Sequence, residues 1–146
     1  KDDLQDACLV SPDVGRLEFV QKVAKLLDLD YAHVEKTRYD VNKSRAVRFV
    51  GTPKKVAIII DDMIDTGGTS INACNVLKEE GFEKVIGCFT HAILSNGAVD
   101  RLLDSAYDEV VVADTVDFDD ALVVGDKISV ASIKDFLCEY IKKMFE

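Results

Sequence analysis

The sequence predicts one α/β domain, an open and mostly parallel sheet with flanking helices in three layers. Short apolar runs alternate with segments of helical periodicity along the whole chain. The clearest runs are apolar on both faces, which is typical of strands buried inside a parallel sheet. No internal repeat, low-complexity segment or linker interrupts this alternation. A regular succession of strand and helix is the pattern of a sheet covered on both sides.

Six strands are predicted from the apolar runs. They are expected at 7–11, 31–36, 56–61, 85–94, 109–114 and 126–132. The first run stops at Ser11-Pro12, which predicts a turn. The polar and basic segment 37–55 separates the second strand from the third. Its AVRFV core is expected to form one arm of a hairpin, with residues 39–41 as the other arm.

Helices are predicted where apolar residues recur at helical spacing. They are expected at about 15–29, after the glycines at 67 and 68 as far as Gly81, at about 98–103 and at 133–145. Gly81 suits the left-handed conformation that ends many helices. Lys142 and Lys143 near the chain end suit the negative end of a helix dipole.

Composition and charge narrow the function. The 146 residues are 48% hydrophobic, which suits one domain with a real core, and no apolar run approaches the ~18 residues of a membrane span. The net charge of −9 argues against nucleic-acid or membrane-surface partners. Seven basic residues nevertheless lie between Lys36 and Lys55, which indicates either a small anionic ligand or an ordinary solvated hairpin. A first residue of Lys favours a fragment of a longer protein.

The four cysteines show no metal-binding spacing. Cys8 and Cys88 fall in strand-like runs, and Cys74 and Cys138 fall in helix-like runs. We expect buried thiols of a protein in the reducing cytoplasm, and no zinc site.

The stretch IIIDDMIDTGGTS, residues 58–70, carries the most specific chemistry. It places two adjacent acids, Asp61 and Asp62, at the carboxyl end of a buried strand, where open α/β sheets bind ligands. Gly67 and Gly68 let main-chain amides approach an anion, and the following helix directs its positive end to the same place. The G-K-[ST] ending of a Walker A loop is absent.

A phosphate at the glycines and vicinal hydroxyls at the acids would describe a ribose 5-phosphate. Carboxylates repel phosphate but accept hydrogen bonds from sugar hydroxyls, or bind Mg²⁺. The alternative is an acid pair in a turn followed by a glycine-capped helix. A receiver-type module is disfavoured, because its acid pair normally ends the first strand.

These residues resemble a known family. DDMIDTGGT, residues 61–69, is similar to the PRPP-binding motif of type I phosphoribosyltransferase folds, and more narrowly to the form found in ribose-phosphate pyrophosphokinases. SPDVG at 11–15, EKTR at 35–38, GCFTHAILS at 87–95 and EVVVADT at 109–115 match that family's motifs in the same order. The resemblance spans essentially the whole chain, as the C-terminal one of two tandem domains.

The resemblance implies a reaction and a set of site residues. These enzymes transfer the diphosphoryl group of Mg-ATP to the anomeric hydroxyl of ribose 5-phosphate, giving PRPP and AMP. It implies that the ribose 5-phosphate site consists of Asp61, Asp62, Asp65, Thr66, Gly67, Gly68 and Thr69. It implies that Asp13 helps to bind the metal, and that Lys36 and Arg38 act on a mobile loop within 36–55. It also implies a homo-oligomer of the full-length protein.

Two departures leave other functions open. The first is Arg16, which stands where the family usually has the second glycine of S-P-D-x-G-G. The second is the N-terminal domain, which the sequence is expected to lack. In the family, that domain supplies a metal-binding His and much of the adenine site. His33 is expected to be structural, and His91 could line the site or only pack. The alternatives are a non-catalytic synthetase-associated homologue and a phosphoribosyltransferase that consumes PRPP.

Overall fold

The computed structural model describes residues 4–37, 46–117 and 126–146, and it confirms the α/β fold. Its strands are β1 (Ala7–Ser11), β2 (Asp30–Thr37), β3 (Ala46–Val50), β4 (Val56–Ile64), β5 (Lys84–Ala92), β6 (Glu109–Ala113) and β7 (Ile128–Ala131). Its α-helices are α1 (Leu17–Leu27), α2 (Gly68–Glu79), α3 (Ala98–Asp104) and α4 (Lys134–Lys143). Short 3₁₀ turns occupy Leu4–Asp6 and Val14–Arg16.

The strands form one seven-stranded sheet in the order β3-β2-β1-β4-β5-β6-β7. All neighbouring pairs are parallel except β2 and β3, which are antiparallel. The carboxyl ends of β1, β4 and β5 therefore meet at one edge of the sheet, where ligands of open α/β folds bind.

Helices pack on both faces of the sheet, as the period of two along a strand requires. On one face, Leu9 of β1 packs with Val20 and Ala24 of α1. On the other face, the neighbouring β1 residues Cys8 and Val10 belong to a larger core. That core includes Ala57, Ile59, Ala73, Cys74, Leu77, Phe82, Val85, Leu102, Tyr107, Val110 and Val112. The sequence pattern of two-sided strands thus produces the expected three layers.

The basic hairpin is arranged differently from the sequence prediction. All five residues of β3 pair with β2, from His33 opposite Val50 to Thr37 opposite Ala46. The first arm is therefore β2, and residues 39–41 lie outside the described residues. Arg48 of β3 pairs with Glu35 at 2.5 Å. The AVRFV arm expected from the sequence is confirmed as β3, so the hairpin alternative for 36–55 holds for residues 46–50.

The start of α1, the exposure of α4 and the exposure of Cys138 differ from the sequence prediction. α1 begins at Leu17 rather than near Gly15, because Val14–Arg16 forms a 3₁₀ turn. α4 has Lys142 and Lys143 in its last turn as expected, but it buries none of its residues. Cys138 on α4 is consequently exposed, whereas Cys8 and Cys74 are buried and Cys88 is intermediate. No helix within the described ranges is long and apolar enough to cross a membrane.

Leu77 offers a direct test of the core on the α2 face. Leu77 is fully buried on α2, whereas Leu26 on α1 is 85% exposed. We expect Leu77→Ala to lower the free energy of unfolding by about 2–5 kcal/mol, because it leaves a cavity in a close-packed core. Leu26→Ala, the matched control, should change it by less than about 0.5 kcal/mol. Urea denaturation of both variants measures the difference, and equal effects would contradict this packing.

Candidate active site

The candidate site opens where β4 continues beyond its neighbour β1. β1 and β4 pair only as far as Val10 opposite Ile59, whereas β4 continues along β5 to Ile64 opposite Ala92. The end of β4 is therefore unpaired on one side. A pocket of about 180 Å³ forms there, lined by Asp13, Asp61, Met63, Ile64, Asp65, Thr66, Gly67, Thr69 and Ser70.

The turn between β4 and α2 has the geometry of an anion site. Gly67 precedes α2 with φ 79°, a left-handed conformation that favours glycine. The cap makes no side-chain hydrogen bond, and the first turn of α2 contains no acidic residue. The first amides of a helix have no partner inside the helix and carry its positive dipole end. These amides can therefore donate hydrogen bonds to an anionic group.

The paired acids lie within the last part of β4 and contact a cation of this chain. Arg16 donates from Nη2 to Asp62 Oδ2, and its Nε lies 3.3 Å from Asp61 Oδ1. The Asp62 backbone N–H donates to Asp61 Oδ1 at 2.8 Å. The guanidinium thus spans both carboxylates that the sequence analysis assigned to sugar hydroxyls. Asp61 lines the pocket, whereas Asp62 does not.

The environment of Asp61 disfavours its charged form. Burial raises the pKa of Asp61 to about 6, and the adjacent Asp62 carboxylate adds to the rise. The backbone N–H of Asp62 and the Arg16 guanidinium act in the opposite direction. Two neighbouring carboxylates at a partly buried site need a cation or hydrogen-bond donors to stay ionised together.

Asp13 lines the same pocket, and one of its side-chain oxygens is unsatisfied. Its Oδ1 is buried and has no hydrogen-bond partner among the described residues. Ser11 Oγ donates to the Asp13 backbone carbonyl at 2.6 Å, which fixes the chain just after β1. A Cβ on Gly15 would lie 3.2 Å from this oxygen, a tight contact that the glycine avoids. An orphaned carboxylate oxygen indicates a missing donor or cation.

A family assignment follows from comparison with known proteins. The family model described as "Phosphoribosyl synthetase-associated domain" matches residues 30–146. The chain belongs to this family.

Curated relatives of the family are named ribose-phosphate pyrophosphokinases. The protein of Haemophilus ducreyi is 39% identical over 146 residues, covering 99% of this chain and 46% of the relative. That of Ralstonia nicotianae is 42% identical over 141 residues, covering 95% and 44%. The chain therefore spans less than half the length of these relatives.

Solved structures agree with the type I phosphoribosyltransferase fold. Phosphoribosylpyrophosphate synthetase from Mycobacterium smegmatis matches with TM-score 0.82 and 36% identity, covering 97% of this chain and 45% of that protein. Orotate phosphoribosyltransferase from Aeropyrum pernix matches with TM-score 0.56 and 19% identity, covering 93% and 65%, which shows the fold alone.

The cationic residues that resemble the family's catalytic loop are only partly visible. Lys36 is exposed on β2, three residues beyond His33, which pairs with the last residue of β1. Lys36 therefore lies toward the edge of the sheet that carries the pocket, although it does not line the pocket. Arg38 lies outside the described residues.

The two histidines have structural contacts. His33 Nε2 lies 3.7 Å from Glu35 Oε2 on the same strand. His91 Nδ1 lies 2.8 Å from Thr115 Oγ1, whose hydroxyl donates to the Thr90 carbonyl at 2.6 Å. His91 does not line the pocket, so its described role is to hold the turn after β6 against β5.

Sequence reasoning missed three contacts of this site. It treated Arg16 only as a bulky replacement, although a cation three residues after Asp13 and near an acid pair was a usable signal. Ser95 Oγ donates to Asp65 Oδ1, and its position was visible in the family-like strand end GCFTHAILS. Arg101 donates to the Thr66 carbonyl, and nothing in the sequence distinguished it from any surface arginine.

The raised pKa of Asp61 predicts a pH-dependent stability. The folded pKa of about 6 lies above the ordinary value of 3.8, which the unfolded chain is expected to have. Between these two pH values the native state therefore binds more protons than the unfolded state. The free energy of unfolding consequently falls as pH rises through this range. Asp61→Asn cannot ionise and should avoid this loss. As pH rises from 4 to 7.5, the free energy of unfolding of Asp61→Asn should increase by on the order of 1 kcal/mol relative to that of the parent. Urea unfolding at both pH values measures this difference. The exposed Asp104→Asn is the control, and a pH-independent difference for Asp61→Asn would contradict the assignment.

Proposed function

We propose that this chain is the C-terminal, ribose 5-phosphate-binding domain of a ribose-phosphate diphosphokinase. The complete protein would transfer the diphosphoryl group of ATP to the anomeric hydroxyl of ribose 5-phosphate, giving PRPP and AMP. The family membership and the names of its relatives support the reaction. The N-terminal domain of the longer protein would supply the remainder of the ATP site, and the resemblance favours a homo-oligomer in the cytoplasm.

One observation carries the proposal: a single pocket joins a helix N-terminus without a side-chain cap to Asp61, the first of the two adjacent carboxylates. Thr66, Gly67 and Thr69 line one part of it, and Asp61 lines another. The amides of the turn would receive the 5′-phosphate, because they present donors and a positive dipole end. Asp61 and Asp62 would accept hydrogen bonds from the ribose diol. Asp65 and Gly68 would complete the turn, with Asp65 held by Ser95.

The proposed transfer makes one bond and breaks another. The anomeric oxygen of ribose 5-phosphate joins the β-phosphorus of ATP, and the bond from that phosphorus to the α,β-bridging oxygen breaks, so this oxygen leaves with AMP. The hydroxyl proton is released to solvent. Catalysis of such transfers consists mainly of positioning and of stabilising negative charge. Lys36 and Arg38 would supply this positive charge, Arg38 through two donors of its planar fork.

The chemistry of Asp13 fits a magnesium ion bound with the substrates. No group of three metal-type side chains occurs in the part of the chain that the structure describes, so a cage made only of protein ligands does not fit. Mg²⁺ commonly binds one or two carboxylates together with substrate phosphates. The orphaned Asp13 Oδ1 would supply such a carboxylate oxygen. When bound, the ion would neutralise charge on the ATP phosphates.

Arg16 favours a second candidate, a non-catalytic homologue that assembles with active subunits. In this structure its guanidinium already binds the acids that would receive the diol. A permanent internal ion pair there would exclude or weaken the sugar. The intact turn from Asp65 to Thr69 and the orphaned Asp13 oxygen favour the catalytic candidate.

Thr69 tests the phosphate end of the site. Its hydroxyl is expected to donate to the 5′-phosphate, and such hydrogen bonds to charged groups contribute about 1.5–3 kcal/mol. Thr69→Val should weaken ribose 5-phosphate binding about 10- to 100-fold in a calorimetric titration. Thr52→Val is the matched control, because Thr52 precedes β4 at the opposite edge of the sheet. Failure of the parent protein to bind ribose 5-phosphate would falsify the proposed function.

Arg16 tests which candidate is correct. Arg16→Gly restores the glycine usual in the family and frees Asp61 and Asp62. Because partly exposed ion pairs contribute up to about 1 kcal/mol, we expect ribose 5-phosphate to bind up to about fivefold more tightly. AMP formation from ATP by the complete protein then separates the candidates. Ribose 5-phosphate-dependent AMP supports the enzyme, whereas binding without any AMP supports the non-catalytic homologue.

A further inference from the structure

The β5–α3 turn, residues 93–97, has an unusual backbone. Leu94 and Asn96 both have φ 53°, and Gly97 has φ 72°. Left-handed conformations cost non-glycine residues about 1–2 kcal/mol each. Such a conformation persists where surrounding contacts determine it. The contacts of this turn are made mainly to the end of β4 and to the β4–α2 turn.

Main-chain and side-chain hydrogen bonds attach the β5–α3 turn to the end of β4 and to the turn between β4 and α2, residues 65–67, which is called the phosphate turn below. The amides of Ile93 and Leu94 donate to the Ile64 carbonyl at 2.9 and 3.2 Å. Ser95 Oγ donates to Asp65 Oδ1. Ile64 at the end of β4 and Asp65 at the start of the phosphate turn are thus held from the β5 side, the first through its backbone and the second through its carboxylate.

Arg101, on α3, completes this attachment. Its Nε and Nη2 donate to the Thr66 carbonyl at 3.1 and 2.7 Å, and its Nη1 donates to the Asn96 carbonyl at 2.7 Å. One guanidinium therefore fixes a carbonyl of the phosphate turn and a carbonyl of the β5–α3 turn together. Lysine would hold the two carbonyls less rigidly, because its single nitrogen lacks the planar fork of a guanidinium.

The contact with Thr66 determines where the next amide points. The Thr66 C=O and the Gly67 N–H belong to one planar, trans peptide group, so they point in opposite directions. Arg101 lines a groove with Ile71 and Asn75, and it holds the Thr66 carbonyl on the side of that groove. Gly67 lines the separate pocket that contains Asp61 and Thr69. The guanidinium thus directs the Gly67 N–H away from the groove that Arg101 lines.

We propose that Arg101 is a positioning residue that fixes the Thr66–Gly67 peptide so that the Gly67 amide donates to the phosphate of the ligand. This inference rests on the proposed function and deepens it. Arg101 acts through the main chain rather than on the ligand, because it lines the groove behind the turn. Without Arg101, the Thr66–Gly67 peptide can rotate more freely, because glycine allows a wide range of backbone dihedral angles.

The test compares Arg101→Met and Arg101→Lys with Lys78→Met in the full chain. Lys78 is a matched control, since it also donates to a carbonyl, that of Glu83, and lies at the opposite end of α2. Calorimetry with ribose 5-phosphate should show about tenfold weaker binding for Arg101→Met. Arg101→Lys should recover less than half of that loss in free energy, although it keeps the charge. Lys78→Met should bind like the parent.

The orientation of the Gly67 N–H is measured separately, by residual dipolar couplings in the ligand-free protein. The coupling should change in both Arg101 variants and stay constant in Lys78→Met. An unchanged coupling, or full recovery of binding by Arg101→Lys, would overturn the proposal. If the parent protein fails to bind ribose 5-phosphate, the proposed function fails, while the coupling still decides whether Arg101 orients the peptide.

Discussion

Unequal lengths of two neighbouring strands create the site. β4 continues beyond Ile59, where its pairing with β1 stops, so the last residues of β4 have a sheet neighbour on one side only. The chain after β1 turns away through Asp13 instead of extending the sheet. Asp61, the phosphate turn and the Asp13 carboxylate therefore face one space rather than being separated by a strand. Any change that lengthened β1 would fill this space with main chain.

The site combines groups that would destabilise the protein if they were left unpaired. Two adjacent carboxylates and a partly buried acid lie near the first amides of α2, which have no side-chain cap, and near its helix dipole. In this chain, Arg16 provides the counter-charge for the carboxylates, and Arg101 and Ser95 hold the turn that carries the amides. The fold thus places an internal cation against the acids where a sugar is expected.

Periodicity and burial made the fold predictable from the sequence. Short apolar runs rich in β-branched residues, such as VAIII and EVVVA, favour strands with two covered faces, and Gly81 follows the end of α2 as expected. The location of the acid pair and glycine turn was also predictable, because strand ends and helix starts are local. The partner of β3 was not, since pairing depends on register between segments that are separated along the chain.

Long-range side-chain contacts were the other part that the sequence did not reveal. Arg16 and Asp62 are 46 residues apart, and Arg101 and Thr66 are 35 apart. An arginine on a helix surface has the same local pattern whether it contacts water or a carbonyl across a loop. The burial of Cys138 was predicted wrongly for a related reason. The amphipathic pattern of α4 predicts an apolar face, but it does not show that another element covers that face.

The uneven environments of the cysteines make this domain convenient to label. Burial raises the pKa of Cys8 and Cys88 to about 11 and that of Cys74 to about 12, so few of these thiols ionise near neutral pH. Cys138 projects into solvent from α4, which contributes nothing to the lining of the pocket. Since the thiolate is the reactive form, a maleimide dye should attach selectively at this position. The native chain thereby carries its own attachment point for a fluorophore, without engineered residues near the ligand.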